Sequence, residues 1–189
     1  MNMEYTTDRL LLRVLSPAES EKVLAFYKKN YEYLQPYEPA RGEKFLTEFY
    51  QRSNLQAEYN AFIKFNYVRF WISLREKPDT LVGTVSFSDF LRGCYEKCSV
   101  GYKIDKDYTG FGLATEALAF AIPLIHAKYA VHRMEALVLP DNFASMRVLE
   151  KLGFVREGYI RQAARINGQW KDHFLYGCLF DEANNQIRR

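Results

Sequence analysis

Val100 to Leu118 reads V-G-Y-K-I-D-K-D-Y-T-G-F-G-L-A-T-E-A-L. Residues 100–104 are apolar and rich in β-formers, which predicts a strand. Asp105, Lys106 and Asp107 end it. Gly110 and Gly112 then let the backbone turn tightly and approach a ligand with no Cβ in the way. Thr115, Glu116, Ala117 and Leu118 suit the first turn of a helix. Such a strand–loop–helix aims unpaired N–H groups and the positive end of a helix dipole at one point. That is a ready site for phosphate or diphosphate. The plain alternative is a tight turn with no ligand.

A Walker loop is excluded, because no Gly-Lys-Ser/Thr follows the glycines. A dinucleotide fingerprint fails at its last position, where Thr115 stands, although Glu135 lies about twenty residues on as that fold requires. The segment Thr109-Gly110-Phe111-Gly112-Leu113-Ala114 resembles the Gln/Arg-x-x-Gly-x-Gly/Ala loop of the GNAT acyl-CoA N-acyltransferases. Thr109 departs from the usual Gln or Arg, which removes one side-chain contact to coenzyme A and leaves the backbone cradle.

The chain around this loop sets the scale of the fold. Its 189 residues, 48% of them hydrophobic, suffice to bury the core of a single domain over 1–189, with the fold occupying about 6–180. A net charge of +3 with mixed signs gives no indication of nucleic-acid binding. No apolar run approaches a membrane span and residues 1–15 lack a signal-peptide core, so a soluble, cytoplasmic protein is expected. Cys94, Cys98 and Cys178 are too few and odd in number for a disulfide framework, and no second pair or histidine completes a zinc site around Cys94 and Cys98. No metal is expected. His126, His132 and His173 are scattered and suggest no triad.

Residues 10–15 read as a first strand. Ser16-Pro17-Ala18-Glu19 is a capping box that opens a helix to about residue 30. Residues 31–39, broken by Pro36 and Pro39, read as irregular, and a second helix is expected over 43–60. Strands follow over 68–74 and 80–87, turning at Lys77-Pro78-Asp79, with Gly83 marking a bulge. The fourth strand covers 97–104. The helix over 113–129 is apolar on most of its circumference, with a kink or early end predicted at Pro123. A fifth strand (132–139) leads through Pro140-Asp141-Asn142 to a helix over 143–152. Its inner face is expected to be Ala144, Val148, Leu149 and Leu152, with Gly153 as its stop. Asn167-Gly168 turns a terminal hairpin of residues 154–166 and 169–179. Residues 181–189 are polar and expected to fray.

The second motif is Asn142-Phe143-Ala144-Ser145-Met146-Arg147-Val148-Leu149-Glu150-Lys151-Leu152-Gly153-Phe154, followed by Glu157-Gly158. With the glycine loop it resembles the GNAT pattern closely, and the element order agrees. The resemblance implies an α/β GNAT fold: a mixed, mostly antiparallel sheet of about seven strands, the fourth and fifth splayed, with flanking helices. Within that family the chain resembles the RimJ/RimL branch of ribosomal-protein-alanine N-acetyltransferases. Thr7-Asp8-Arg9-Leu10, Pro36-Tyr37-Glu38-Pro39, Phe87-Ser88-Asp89-Phe90-Leu91-Arg92-Gly93 and Asn167-Gly168-Gln169-Trp170-Lys171-Asp172-His173 carry that likeness.

The resemblance implies direct acetyl transfer from acetyl-CoA to an amine. The backbone of Tyr102, Lys103 and Ile104 would pair with the pantetheine arm, and an N–H there would hold the developing oxyanion. Residues Thr109, Gly110, Phe111, Gly112, Leu113, Ala114 and Thr115 would cradle the diphosphate. Asn142 would bond the pantetheine arm, or simply cap a helix. Leu149 stands where many relatives carry a tyrosine acid. Ser145 matches the serine that protonates the thiolate in the RimL type. Glu38, then Asp89, are candidate bases, and Tyr33 and Tyr37 candidate acceptor contacts. The expected acceptor is the N-terminal α-amine of a protein, possible ribosomal targets included, with the enzyme a monomer or homodimer. A small-molecule amine (polyamine, amino acid or antibiotic) and a non-catalytic CoA-binding module are the alternatives.

Overall fold

The structure, a computed structural model, describes residues 3–180. In chain order come β1 (Glu4–Thr6), β2 (Leu10–Arg13), α1 (Ser20–Leu34), α2 (Glu48–Ile63), β3 (Val68–Leu74), β4 (Lys77–Leu91) and β5 (Lys97–Ile104). Then follow α3 (Leu113–Tyr129), β6 (Arg133–Val138), α4 (Phe143–Lys151), β7 (Val155–Ile166) and β8 (Gln169–Leu179). The strands form one sheet in the order β1-β2-β3-β4-β5-β6-β8-β7. Every neighbouring pair is antiparallel except β5 and β6. The sheet has eight strands rather than about seven, because Glu4–Thr6 pairs with residues 11–13 as an added edge.

Each face of the sheet carries its own core. On one side Phe70, Ile72, Val85 and Phe87 pack against Leu118, Ile122 and Ile125 of α3. On the other, Trp71 and Leu81 meet Val23, Phe26 and Tyr27 of α1 and Leu55 of α2. Burying each such side chain contributes about 1.5–3 kcal/mol. α1 runs on to Leu34, past the expected end at residue 30, because nothing in 31–34 breaks a helix before Pro36. α2 begins later than expected: residues 43–46 form a 3₁₀ turn, and Thr47 Oγ1 accepts from Tyr50 N to start a fresh helix. The β3–β4 turn sits at Arg75 and Glu76, one step before Lys77-Pro78-Asp79, with Leu74 opposite Lys77. The expected bulge is present, since Ile72 faces Gly83 while Ser73 faces Leu81.

α3 does not end at Pro123. Pro123 and Ala119, whose carbonyl loses its partner, both lie on the exposed side, where water replaces the missing bond. On α4 Leu149 is buried and Val148 and Leu152 pack against the core as expected, whereas Ala144 faces solvent and Met146 takes its place on the inner face. Asn167 and Gly168 both adopt positive φ (43° and 80°), as a tight hairpin turn demands. The expected fraying of 181–189 lies outside the described residues.

The feature that positions the site is the parting of β5 from β6. They pair only where Lys97, Cys98 and Ser99 face Arg133, Met134 and Glu135. Beyond Ser99 the edge of β5 turned toward β6 pairs with no strand among the described residues. At the joined end Lys97 Nζ lies 2.9 Å from Glu135, and Arg133 Nε lies 2.7 Å from the same carboxylate. The Arg133 guanidinium also grips Glu157 of β7 with both terminal nitrogens. Charge pairing thus clasps the strands at one end and leaves them free at the other.

Candidate active site

The glycine loop stands at the open end of this gap. Gly110 (φ 81°) and Gly112 (φ 76°) are both left-handed, a conformation that a Cβ makes costly. The amides of residues 110–115 meet no acceptor among the described residues, and the first α3 bond runs from Glu116 N to Gly112 O. Six N–H groups are therefore left for an anion. The loop is anchored from behind by α1. Asn30, fully buried, donates to Asp105 Oδ2 at 3.1 Å and accepts from Lys106 N at 2.9 Å. Lys29 Nζ bonds Asp105 and Asp107 at 2.9 and 2.8 Å. Burial works to raise the Asp105 pKa, but these donors outweigh it and hold the carboxyl below its ordinary value.

From the β1–β2 turn a second set of contacts reaches the loop. Thr7 Oγ1 donates to Glu116 Oε1 at 2.6 Å, Arg9 N to the same oxygen at 3.0 Å, and Arg9 Nε to Glu116 Oε2 at 2.6 Å. Arg9 Nη1 donates to Phe111 O at 3.0 Å. Burial tends to raise the Glu116 pKa, yet the Thr7 and Arg9 bonds keep the carboxylate below its usual range. Next to the loop lies a groove of about 710 Å³ whose lining includes Arg9, Arg75, Tyr108, Phe111 and Leu113.

Across the gap, Asn142 caps α4: its Oδ1 accepts from Ser145 N at 3.1 Å, so the plain capping reading holds. Tyr102 reaches over from β5. Its hydroxyl lies 2.7 Å from Ser145 Oγ and donates to Ser145 O at 3.0 Å. Burial pushes the Tyr102 pKa up to about 12, with the Ser145 bond pulling slightly the other way. The sequence assigns a role only to the backbone of Tyr102. The alternation of Val100, Tyr102 and Ile104 could have shown that its side chain shares the α3–α4 face. Leu149 is fully buried in the core one turn beyond Ser145.

The opposite side of the gap is walled by the α1–α2 connection. Glu38, expected as a base, is buried and held between two cations, with Lys103 Nζ 2.5 Å from Oε1 and Arg41 Nη2 3.1 Å from Oε2. Each oxygen faces a cation, so the side chain ties the α1–α2 connection to β5. The Lys103 side chain therefore points toward Glu38 and the Tyr27 ring. Glu38 O also accepts from Asn167 N at 2.8 Å, joining the β7–β8 tip to this wall. A recess of about 70 Å³ here is lined by Tyr27, Tyr31, Glu38, Arg41, Phe45 and Asn167 among others. Tyr33 and Tyr37 are not in its lining and are about two-fifths exposed. Asp89 sits elsewhere, at a second irregularity of β4 between Ser88 and Leu91 (φ 52°), exposed and accepting from Ser88 Oγ at 2.9 Å. Ser88 faces Ser99, the last β5 residue paired to β6, so Asp89 lies one strand over from the apex of the gap.

Residues 9–155 match the family model described as "Acetyltransferase (GNAT) domain". A "Probable N-acetyltransferase YjcK" of Bacillus subtilis is 33% identical, over 90% of this chain and 93% of its own. The "[Ribosomal protein uS5]-alanine N-acetyltransferase" of Escherichia coli is 32% identical over 92% of this chain and 89% of its own. Among solved structures, a ribosomal-protein-S5-alanine acetyltransferase from Vibrio fischeri superposes with a TM-score of 0.90 at 26% identity, covering 96% and 98% of the two chains. RimJ from Mycobacterium smegmatis, in complex with CoA-disulfide, gives 0.84 at 25% identity, covering 94% and 85%.

Proposed function

The chain belongs to the GNAT acetyltransferase family and is an acetyl-CoA-dependent N-acetyltransferase, and on that footing we propose that its acceptor is the N-terminal α-amine of a protein, a ribosomal protein first among the candidates. The observation that carries the acceptor is the near full-length likeness to an enzyme that acetylates an alanine of ribosomal protein uS5. The whole chain acts as one catalytic domain, and it works in the cytoplasm, where ribosomal proteins are available.

In this reading the diphosphate of acetyl-CoA rests on the amides of residues 110–115, beside the dipole of the seventeen-residue α3. The pantetheine arm lies along the free edge of β5, at Tyr102, Lys103 and Ile104. A main-chain N–H there polarises the thioester carbonyl. The neutral amine attacks the carbonyl carbon, the C–S bond breaks, and the thiolate is received by the Ser145 hydroxyl beside Tyr102. An α-amine with a pKa near 7.7–8.0 needs only about 1 kcal/mol to lose its proton at pH 7, against about 4–5 for lysine. A modest base acting through water is sufficient. Asp89 retains an exposed carboxylate for that role, whereas Glu38 is tied to Lys103 and Arg41. Arg41 and Lys103 also balance the charge of Glu38 beside the recess, which disfavours a polyamine.

Thiol release from acetyl-CoA, measured with a peptide of free N-terminal alanine, its N-blocked form, a lysine-bearing peptide and spermidine, tests the acceptor. Turnover is expected with the free N-terminus and not with the blocked one. Turnover confined to spermidine would overturn the peptide assignment.

A further inference from the structure

Arg9 is bound on three of its four nitrogens. Its backbone N and Nε engage Glu116, and Nη1 engages Phe111 O. Nη2 meets no acceptor among the described residues, and a Cβ placed on Gly112 would lie 3.7 Å from it. The guanidinium thus meets the glycine loop with Nη1 on Phe111 O and Nη2 beside Gly112. The side chain is half exposed and lines the adjoining groove, so solvent and ligand both reach it. Glu116 stands in the first turn of α3, where a bare carboxylate would repel an anion. Arg9 and Thr7 cover that charge. Thr109 supplies no cation of its own; its hydroxyl is turned back to Lys106 O.

We infer that Arg9 is a diphosphate-binding residue: Nη2 donates to the anion seated on the loop while the rest of the side chain masks Glu116. This rests on the acetyl-CoA reading above. A guanidinium fixed in this way offers a planar donor with little left to order, the geometry suited to phosphate oxygens.

The test compares two acetyl donors, acetyl-CoA and S-acetylpantetheine, which lacks the diphosphate. Full-length Arg9→Gln is expected to bind acetyl-CoA roughly 10–100-fold more weakly by isothermal titration. Its kcat/KM with S-acetylpantetheine should stay within about twofold of the parent, as expected for a contact made only to the missing group. Arg9→Lys keeps the charge and loses the fork. It should fold even if Arg9→Gln does not, and show a smaller loss confined to acetyl-CoA. Adding Glu116→Gln to Arg9→Gln should not restore affinity. Equal losses with both donors would show that Arg9 does not act through the diphosphate and overturn the inference; so would a loss confined to acetyl-CoA that is accompanied by faster amide exchange at residues 110–115 of the unliganded Arg9→Gln protein, which would reduce Arg9 to loop support. So would full recovery in the double variant, which would make charge masking its whole role. Absence of acetyl-CoA binding by the parent protein would instead overturn the underlying reading, and this inference with it.

Discussion

Tyr102 and Ser145 are 43 positions apart in sequence and share a hydroxyl contact across the gap. In the proposed reaction Ser145 Oγ–H would donate to the departing thiolate, while Tyr102, whose own proton is given to Ser145 O, stands beside it. A free thiol has a pKa near 8.5, so the thiolate is already a tolerable leaving group. Ser145→Ala is therefore expected to lower kcat by about tenfold while the acetyl-CoA Kd changes little. Unchanged turnover at saturating acceptor would remove Ser145 from the chemistry. Asn142 and Ser145 were legible in the sequence because their spacing belongs to one local motif. The partnership with Tyr102 was not, because alternation along a strand says which residues share a face but not what lies opposite. The same limit hid Arg9: its contact with Glu116 joins residues 107 apart, and no local pattern encodes that. Glu38 illustrates the converse. A proline-framed glutamate looks free in sequence, and only the fold brings Lys103 to it.

Two glycines decide how β4, β5 and the loop fit together. A Cβ on Gly83 would lie 2.6 Å from Lys103 O and 2.7 Å from Ile104 Cδ1, inside contact distance of a strand that forms the gap. Gly83→Ala should cost about 1–3 kcal/mol in a denaturant titration. Gly112 has ordinary room for a Cβ, so the penalty there comes from its φ of 76° and from the side chain's reach over the amides. Gly112→Val is expected to weaken acetyl-CoA binding at least about tenfold in isothermal titration. Normal affinity would contradict the phosphate role of the loop. Most elements were legible from period and caps. An early end at Pro123 does not occur, because its side of α3 faces water, which no local pattern reveals. The prolines act more locally than expected on α1 as well, which continues through Tyr31 to Leu34 and stops only just before Pro36.

The charge pairs of the whole molecule tie distant elements and carry a pH dependence. Glu116, Glu135 and Asp105 all have pKa values below the ordinary range: burial opposes this, and their bonds to Arg9, to Lys97 and Arg133, and to Lys29 and Asn30 prevail. Carboxylates ordinarily titrate near 4, so in acid the unfolded chain binds these protons before the native one. Their stabilisation is complete above the unfolded values and is lost as the pH falls through the native ones. The melting temperature should be level from about pH 5 to 7 and fall below about pH 4, less steeply in Glu135→Gln. The β7–β8 hairpin adds a different constraint. It bends at a bulge where Gln162 (φ 49°) donates to Asp172, and its tip docks on the carbonyl of Glu38. The result is an arch from the far edge of the sheet back to the α1–α2 connection. For the peptide acceptor proposed above, this tie between the hairpin tip and the α1–α2 wall would hinder side-on entry past Glu38 and admit a chain end more easily. That favours a loose chain terminus over a lysine in the middle of a folded loop, before any difference in proton affinity comes into play.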